Sequence, residues 1–384
     1  MNTSPLLYYS RPRRLSDWKC QRSRYWNYEY RHVGVVKEST GIELFLGVAI
    51  HDGLAAIATH QRDRQKVDID LIASTLQQQV AQTLLEQAVE GQAEAEATLY
   101  AKEQGSLVEG LLRGFYRHMW PRLMEQYPTI LAIEQPMVFR HDHLGQPDPT
   151  GLFGFMAKPD LVLGDIEGNC FYIEFKSTSS KKESWIDSWN TAVQVHATVR
   201  AIEAHLKREV TGVIIQGLYK GFESYGKQSS PVCYAYLKAG NPPFTDTVIS
   251  YEYKPGLKRF PTWELPGGVA TWVAGMPEAI LADQFPQTPP IYPKDDLINN
   301  FFLQSAIREA EIAAVTTQIE QPDTSPEQRL QLLNRHFPQA FEQCSPAWGY
   351  GCSYRGICHG GGNDPLEHGF ILRNTEHEEE YKEL

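Results

Sequence analysis

Apolar residues recur with two different periods along this chain, and the period changes near residue 128. Before that point, the spacing of Val108, Leu111 and Phe115 follows the 3.6-residue period of an amphipathic helix. Residues 41–60 are apolar on most sides, which predicts a buried helix, and residues 66–127 also have a helical pattern. The first third of the chain is therefore predicted to be helical.

After residue 128, apolar and polar residues alternate as they do along β-strands. Strands are predicted for the segments TILAIEQPMVF, GFMAKPDLVLGD, NCFYIEFKST, GVIIQGLY and VCYAYLK, with a helix over residues 184–207 between the third and the fourth. In the third strand, Glu174 and Lys176 leave the same face as Cys170 and Tyr172. This order predicts an α/β fold with a mixed central sheet flanked by helices.

Composition shifts divide the chain into predicted units. These are N-terminal helices over residues 1–60, a helical block over 61–127, a sheet-containing core over 128–240, a Pro-rich insertion over 241–293, C-terminal helices with a cysteine cluster over 294–364, and an acidic tail over 365–384. The insertion contains ten prolines and one predicted strand, TVISYEY. Ser325 and Gln328 have the spacing of a capping box, and Pro326 between them predicts a helix start.

Overall charge and composition limit the classes of function. The net charge of −11 argues against a protein that coats a polyanion with its whole surface, although residues 11–31 hold seven basic and two acidic residues. No apolar stretch approaches the length of a membrane span, and the N-terminus lacks the pattern of a signal peptide. We therefore expect a cytoplasmic protein with no membrane partner, in which the six cysteines do not form a disulfide framework.

Two carboxylates and a lysine form the most informative constellation. Asp160 is placed on one predicted strand, and Glu174 and Lys176 lie on the next, so a hairpin brings the three side chains together. Two adjacent carboxylates repel each other, and Mg²⁺ or Mn²⁺ relieves that repulsion. Lys176 would then orient or deprotonate the attacking water, or offset charge on a phosphate. This is the equipment of metal-assisted phosphodiester hydrolysis, whereas the simplest alternative is a surface hairpin with an ion pair.

The order Pro159-Asp160, then Glu174-x-Lys176, resembles the signature of the PD-(D/E)xK nuclease superfamily. His51, in a Gly-x-x-x-His frame, and Gln194, on the helix after Lys176, are similar to motifs of its RecB-like branch. The resemblance implies a restriction-endonuclease-like core, His51 as a metal ligand and Gln194 as an active-site residue. The branch has a Tyr four residues after this Gln, whereas this chain has Thr198. Glu134 matches a recurrent acidic position, or is a solvated residue of an edge strand.

The cysteines carry a second resemblance. Cys344, Cys352 and Cys358 cluster near the C-terminus, and Cys20 lies in the N-terminal helix. RecB-like nucleases with an iron–sulfur staple, among them AddB-type domains and CRISPR-associated exonucleases, hold a 4Fe–4S cluster with one N-terminal and three C-terminal cysteines. The resemblance implies the same here, with zinc as the alternative and His359 as a possible zinc ligand. Because the first helix is short and the C-terminal loop has few apolar residues, we expect the cluster to tether the two ends.

Together these features predict a metal-dependent DNA nuclease, and the resemblance implies an exonuclease acting on single-stranded ends. The expected phosphate contacts are Arg22, Arg24, Lys181 and Lys182. The alternatives are a non-catalytic nucleic-acid-binding or assembly subunit with the same fold, and a zinc-stapled RNA-processing nuclease. A helicase, recombination or CRISPR-type partner protein is compatible with the resemblance. A near match to a phosphate-binding loop at residues 221–227 lacks the hydroxyl residue after Lys227, so ATP binding is rejected.

Overall fold

The computed structural model describes most of the predicted elements. It covers residues 8–10, 20–37, 42–86, 94–151, 153–178, 182–190, 192–220, 278–344, 352–359 and 364–373. The predicted strands VCYAYLK and TVISYEY and the loop at 221–227 lie outside the described residues. No helix within the described ranges is long and apolar enough to cross a membrane.

The N-terminal third of the chain is helical, as its periodicity predicts. Its helices are α1 (Gln21–Arg24), α2 (Ile42–Arg62), α3 (Ile69–Glu86), α4 (Glu94–Gly114) and α5 (Trp120–Gln126), with a π-helical turn at Phe115–Met119 between α4 and α5. Asp68 caps α3, because its carboxylate accepts the Leu71 N–H at 3.0 Å. Val108, Leu111 and Phe115 are fully buried, so the predicted apolar stripe is the face that packs into the core. The short N-terminal helix expected next to Cys20 is, over the described residues, an α-turn followed by π and 3₁₀ turns.

The central part of the chain forms two sheets. The strands of these two sheets are β1 (Tyr8–Ser10), β3 (Thr129–Ile133), β4 (Met137–His141), β5 (Phe153–Ala157), β6 (Leu161–Gly164), β7 (Cys170–Thr178) and β8 (Val210–Tyr219), whereas β2 (Val35–Lys37) belongs to neither. The main sheet has the order β3-β6-β7-β8, antiparallel except for the parallel β7–β8 pair, and the second has the order β1-β5-β4. The predicted mixed sheet is confirmed.

Two segments predicted as single strands are each broken in two. The first breaks between β3 and β4 at Glu134–Pro136, and the second between β5 and β6 at Lys158–Asp160. Each break contains a proline, which lacks the N–H that a continuous ladder requires. Because β3 pairs with β6 and β4 pairs with β5, the segments β3–β4 and β5–β6 pass from one sheet to the other at the same level. The sequence analysis had placed Asp160 within a strand. In the structure, Asp160 instead lies in the break just before β6.

The parallel β7–β8 pair needs a crossover, which α6 (Lys182–Asp187) and α7 (Val193–Leu206) supply. The apolar face of α7 packs against β4, β5 and β8. After β8 and the helix α8 (Glu278–Gln284), residues 286–291 run along the outer edge of β8, where Ile291 and Val213 exchange two backbone hydrogen bonds. The end of the predicted Pro-rich insertion therefore completes the sheet edge.

The C-terminal segment packs onto the N-terminal one. It contains α9 (Asp295–Ile319), α10 (Pro326–His336), α11 (Phe341–Cys344), α12 (Arg355–His359) and β9 (Phe370–Leu372). The capping box of Ser325 and Gln328 is present at the start of α10, as predicted. β9 pairs antiparallel with β2, and Tyr354 and Ile357 share a buried cluster with Trp26. Although the C-terminal loop has few apolar residues, Tyr354 and Ile357 are therefore buried against the N-terminal segment.

Candidate active site

Two carboxylates, Glu134 and Asp160, lie in the breaks that separate β3 from β4 and β5 from β6. Asp160 is 9% exposed, and its Oδ2 accepts the backbone N–H of Phe175 on β7 at 2.6 Å. Glu134 has a φ of 45°, a left-handed conformation that costs energy for a residue other than glycine. Its N–H donates to the Asp160 carbonyl oxygen at 3.1 Å. These backbone contacts fix the two acids side by side.

His51 reaches the carboxylates from α2. Its Nδ1 lies 3.1 Å from Asp160 Oδ1 and 3.8 Å from Glu134 Oε1. Burial by itself would lower the pKa of His51, but the hydrogen bond to Asp160 and the nearby carboxylate of Glu134 outweigh burial and raise the pKa to about 10. A proton on His51 thus offsets the negative charge of the two acids, which indicates a place that attracts a cation.

The ligand atoms of His51, Glu134 and Asp160 all lie within 4.8 Å of one another. Carboxylate oxygens suit Mg²⁺ and Mn²⁺, and an imidazole nitrogen is a ligand that transition-metal ions accept more readily than Mg²⁺ does. The donor set and its negative charge therefore fit a divalent cation. Glu134 is also 3.2 Å from Lys158 Nζ and only 26% exposed, so this acid is partly buried and paired with a base.

Glu174 is the centre of a buried hydrogen-bond network beside this group. It is 2% exposed. Tyr172 OH donates to its Oε2, while Lys176 Nζ and Gln194 Nε2 donate to its Oε1, the latter at 2.5 Å. Burial and the nearby charge of Asp160 raise the pKa of Glu174 to about 7. The structure thus joins Glu174, Lys176 and Gln194 directly.

Lys176 lies between Glu174 and an aromatic ring. Its Nζ is paired with Glu174 Oε1 and lies 6.0 Å from the centroid of the Trp189 ring. This distance is at the limit of a cation–π contact. Asp160 lies close enough to Glu174 for their negative charges to repel each other, and Lys176 forms an ion pair with Glu174. The predicted catalytic residues therefore form one continuous group with His51.

The structure contradicts two of the predicted phosphate contacts. Arg24 is fully buried, and its guanidinium pairs with Glu309 and Glu29. Arg22 is 4% exposed, and it donates to the Phe337 carbonyl oxygen at 2.8 Å and to Asn334 Oδ1 at 2.8 Å. Both side chains hold the two ends of the chain together and are not available to a nucleic acid.

The remaining predicted contacts are not tested in this way. Lys181 lies outside the described residues, and Lys182 begins α6, at a position where only the backbone is described. Thr198, at the place of the missing tyrosine, is buried on α7, one turn after Gln194. Sequence reasoning missed the partnership of Tyr172 and Glu174, although their i, i+2 spacing on one strand was visible.

The predicted cysteine ligands gather where the two ends of the chain meet. Cys20 immediately precedes α1, and Cys358 Sγ lies 3.4 Å from the indole Nε1 of Trp26. Burial raises the pKa of Cys358, and the nearby thiols of Cys352 and Cys20 raise it further. The Cys352 N–H donates to the Cys344 carbonyl oxygen at 3.3 Å, so the fourth cysteine adjoins the others through the backbone. Cys170 lies apart in β7, as expected for a core residue.

The sequence of the chain shows its family membership. Residues 19–359 match the PD-(D/E)XK nuclease superfamily, which is most of the chain. The protein therefore belongs to this superfamily, whose members are generally phosphodiesterases that use divalent metal ions. No curated protein sequence matches the chain at a significant level.

Proposed function

We propose that this protein is a RecB-like, metal-dependent exonuclease that hydrolyses phosphodiester bonds from the ends of single-stranded DNA. The observation that carries the proposal is the arrangement of His51, Glu134 and Asp160 within 4.8 Å, next to the network of Glu174 and Lys176. A purely structural ion pair does not need three clustered ligand atoms and a second buried acid. Family membership supports a nucleic-acid substrate.

Each residue of the site has a role in this proposal. His51, Glu134 and Asp160 would hold the cation, and Glu174 would add a carboxylate at its edge. When bound, such an ion stabilises charge on the phosphate and promotes attack by water. Lys176, whose ammonium group is paired with Glu174 Oε1, would orient that water, and it would accept the water's proton only after losing its own. Gln194 would keep Glu174 in place through its 2.5 Å hydrogen bond.

The preference for single-stranded DNA ends rests on the resemblance of the His51 and Gln194 motifs to the RecB-like branch. Lys181 and Lys182, which follow β7, remain the proposed phosphate contacts. A direct test compares linear and circular single strands of equal length, in DNA and in RNA, with Mg²⁺ or Mn²⁺. We expect stepwise shortening of linear DNA and no cleavage of the circle. Cutting of the circle would instead show an endonuclease, and faster cutting of RNA would overturn the DNA assignment.

We also propose that Cys20, Cys344, Cys352 and Cys358 hold a 4Fe–4S cluster. The convergence of Cys20, Cys352 and Cys358 beside Trp26 supports it. Four thiolates suit both an iron–sulfur cluster and structural zinc, so zinc is the alternative that the test below distinguishes. The Cys344 thiol contacts the Ala340 carbonyl oxygen at 3.7 Å and would have to turn away from it to become a ligand.

The test of this staple is spectroscopic. Protein purified without oxygen should be brown, absorb broadly near 400 nm and contain about four irons per chain. Cys20→Ser should lose the colour, and Cys170→Ser should keep it. Cys20→Ser should still fold, because Arg24 and the β2–β9 pair also join the two ends of the chain. A colourless protein with one tightly bound zinc would refute the iron assignment, and a protein without bound metal would refute the staple.

A further inference from the structure

A second lysine, Lys158, contacts the group of candidate metal ligands. Its Nζ lies 3.2 Å from Glu134 Oε2, whereas His51 Nδ1 lies 3.8 Å from the other oxygen, Oε1. Glu134 therefore turns one carboxylate oxygen toward His51 and the second toward Lys158. The Lys158 side chain is 44% exposed, compared with 26% for Lys176, so Lys158 is the more accessible of the two lysine side chains.

Negative charge dominates the surroundings of Lys158. Desolvation and the charge of Glu134 raise the pKa of Asp52 on α2, and the charges of His51 and Lys158 only partly offset that rise. Asp160 adds a third carboxylate, with a ligand atom within 4.8 Å of one on Glu134. A phosphodiester is itself anionic, so it can approach these acids only where cations offset their charge. An exposed lysine at this position is therefore well placed to meet a phosphate.

The contact between Lys158 and Glu134 can be exchanged for another one. Lys158 is 44% and Glu134 26% exposed, and an ion pair between partly exposed side chains is weak. A divalent ion held by Glu134 would repel the ammonium group and weaken the pair further. Because the lysine stem is long and flexible, the ammonium group can then turn to an anion beside the same ion.

We propose that Lys158 is a substrate-binding residue that pairs with Glu134 in the metal-free protein and donates to a non-bridging oxygen of the scissile phosphate when His51, Glu134 and Asp160 hold an ion. A lysine ammonium group suits this role because it binds phosphate as a point charge. The inference rests on the proposed nuclease function and adds a residue that recognises the substrate backbone. It requires that removing Lys158 has opposite effects on ion binding and on DNA cleavage.

Ion binding is measured first, in metal-free protein without nucleic acid. MnCl₂ is titrated by calorimetry into wild type and Lys158→Met, and binding that persists in Asp160→Asn is subtracted so that other sites do not contribute. Lys158→Met removes a positive charge next to the ion, so we expect it to bind Mn²⁺ about threefold to tenfold more tightly than wild type. A residue that served only to hold Glu134 in place would have the opposite effect, because its loss would weaken ion binding.

Cleavage of labelled linear single-stranded DNA is then measured at saturating MnCl₂ over a range of KCl concentrations. We expect kcat/KM of Lys158→Met to fall about tenfold to hundredfold, the range for loss of a hydrogen bond between charged groups. The slope of log kcat/KM against log KCl concentration should become less steep by about 0.7, the value for one phosphate contact to a single strand. Lys158→Arg keeps the cation and should keep most of kcat/KM and the slope of wild type.

The matched control is Lys66→Met. Lys66 is exposed beyond the end of α2, and the last residue of this helix lies about three turns from His51. The substitution removes the same charge as Lys158→Met but does so away from the site. It should change neither the Mn²⁺ affinity nor the salt dependence of cleavage.

The outcomes distinguish the inference from the function on which it rests. If wild type binds Mn²⁺ and cleaves DNA, unchanged or weaker Mn²⁺ binding by Lys158→Met would overturn the inference alone. An unchanged kcat/KM or an unchanged salt slope in this variant would do the same. If wild type bound no more Mn²⁺ than Asp160→Asn, the proposed metal site would be refuted, and the role of Lys158 with it. Tighter Mn²⁺ binding together with a lower kcat/KM, both confined to Lys158→Met, would support the inference.

Discussion

The metal-free active site should be destabilised by its own buried acid. Glu174 is 2% exposed and lies next to Asp160, so its ionised form is disfavoured in the folded protein. Its folded pKa of about 7 lies above the ordinary value of 4.5. When the pKa of an acid is raised on folding, the folded protein loses stability as the pH rises from the unfolded-state pKa through the folded-state pKa. We therefore predict that Glu174→Gln stabilises the protein at pH 8 and has a smaller effect at pH 5.

The magnitude follows from the size of the pKa difference. Each pKa unit corresponds to about 1.4 kcal/mol, so ionisation of Glu174 costs the fold about 3 kcal/mol at pH 8. The pKa of about 7 already includes the ion pair with Lys176, which lowers it. The expected gain from Glu174→Gln at pH 8 is therefore about 3 kcal/mol.

Urea unfolding in EDTA at pH 5 and pH 8 measures this effect in wild type and in Glu174→Gln. The control is Glu327→Gln, because Glu327 is exposed at the start of α10 and its substitution should not alter the pH dependence. If Glu174→Gln is destabilised to the same extent at both pH values, burial and repulsion do not control this acid. The reasoning from its environment would then be wrong.

The remaining predictions concern His51 and the buried arginine. His51→Ala should abolish most cleavage with Mg²⁺, and Mn²⁺ should partly restore cleavage because it tolerates poorer geometry. A lower melting temperature with unchanged metal dependence would instead show that His51 is a core residue. Arg24→Met should cost about 3–5 kcal/mol, because Glu309 and Glu29 would lose the buried guanidinium group that pairs with both of them. The salt dependence of DNA binding, measured well below the melting temperature, should stay as in wild type, since Arg24 is fully buried. A smaller salt dependence would restore Arg24 as a phosphate contact.

Local signals in the sequence predicted the elements whose cause is local. The apolar stripe of Val108, Leu111 and Phe115 and the capping box of Ser325 and Gln328 depend only on near neighbours. The alternation along β7 placed Glu174 and Lys176 on one face. Motif spacing then brought together the residues that the structure joins at the candidate site.

Other features depend on partners that are distant in sequence. The sequence analysis read Arg24 as a surface base, but Glu309, 285 residues later, pairs with it inside the protein. The strand breaks beside Glu134 and Asp160 were missed because alternating apolar residues continue through both prolines. Their common level is set by the pairing of four strands, which no single segment encodes.

The central claim is that Asp160, Glu174 and Lys176 support metal-dependent hydrolysis of a nucleic-acid backbone. Labelled single-stranded DNA incubated with wild type, Asp160→Asn and Lys176→Met, each with Mg²⁺, Mn²⁺ or EDTA, tests it most directly. We expect cleavage by wild type with either ion, no cleavage in EDTA, and no cleavage by the two variants although both remain folded. Cleavage in EDTA, or cleavage by both variants at the wild-type rate, would contradict the account.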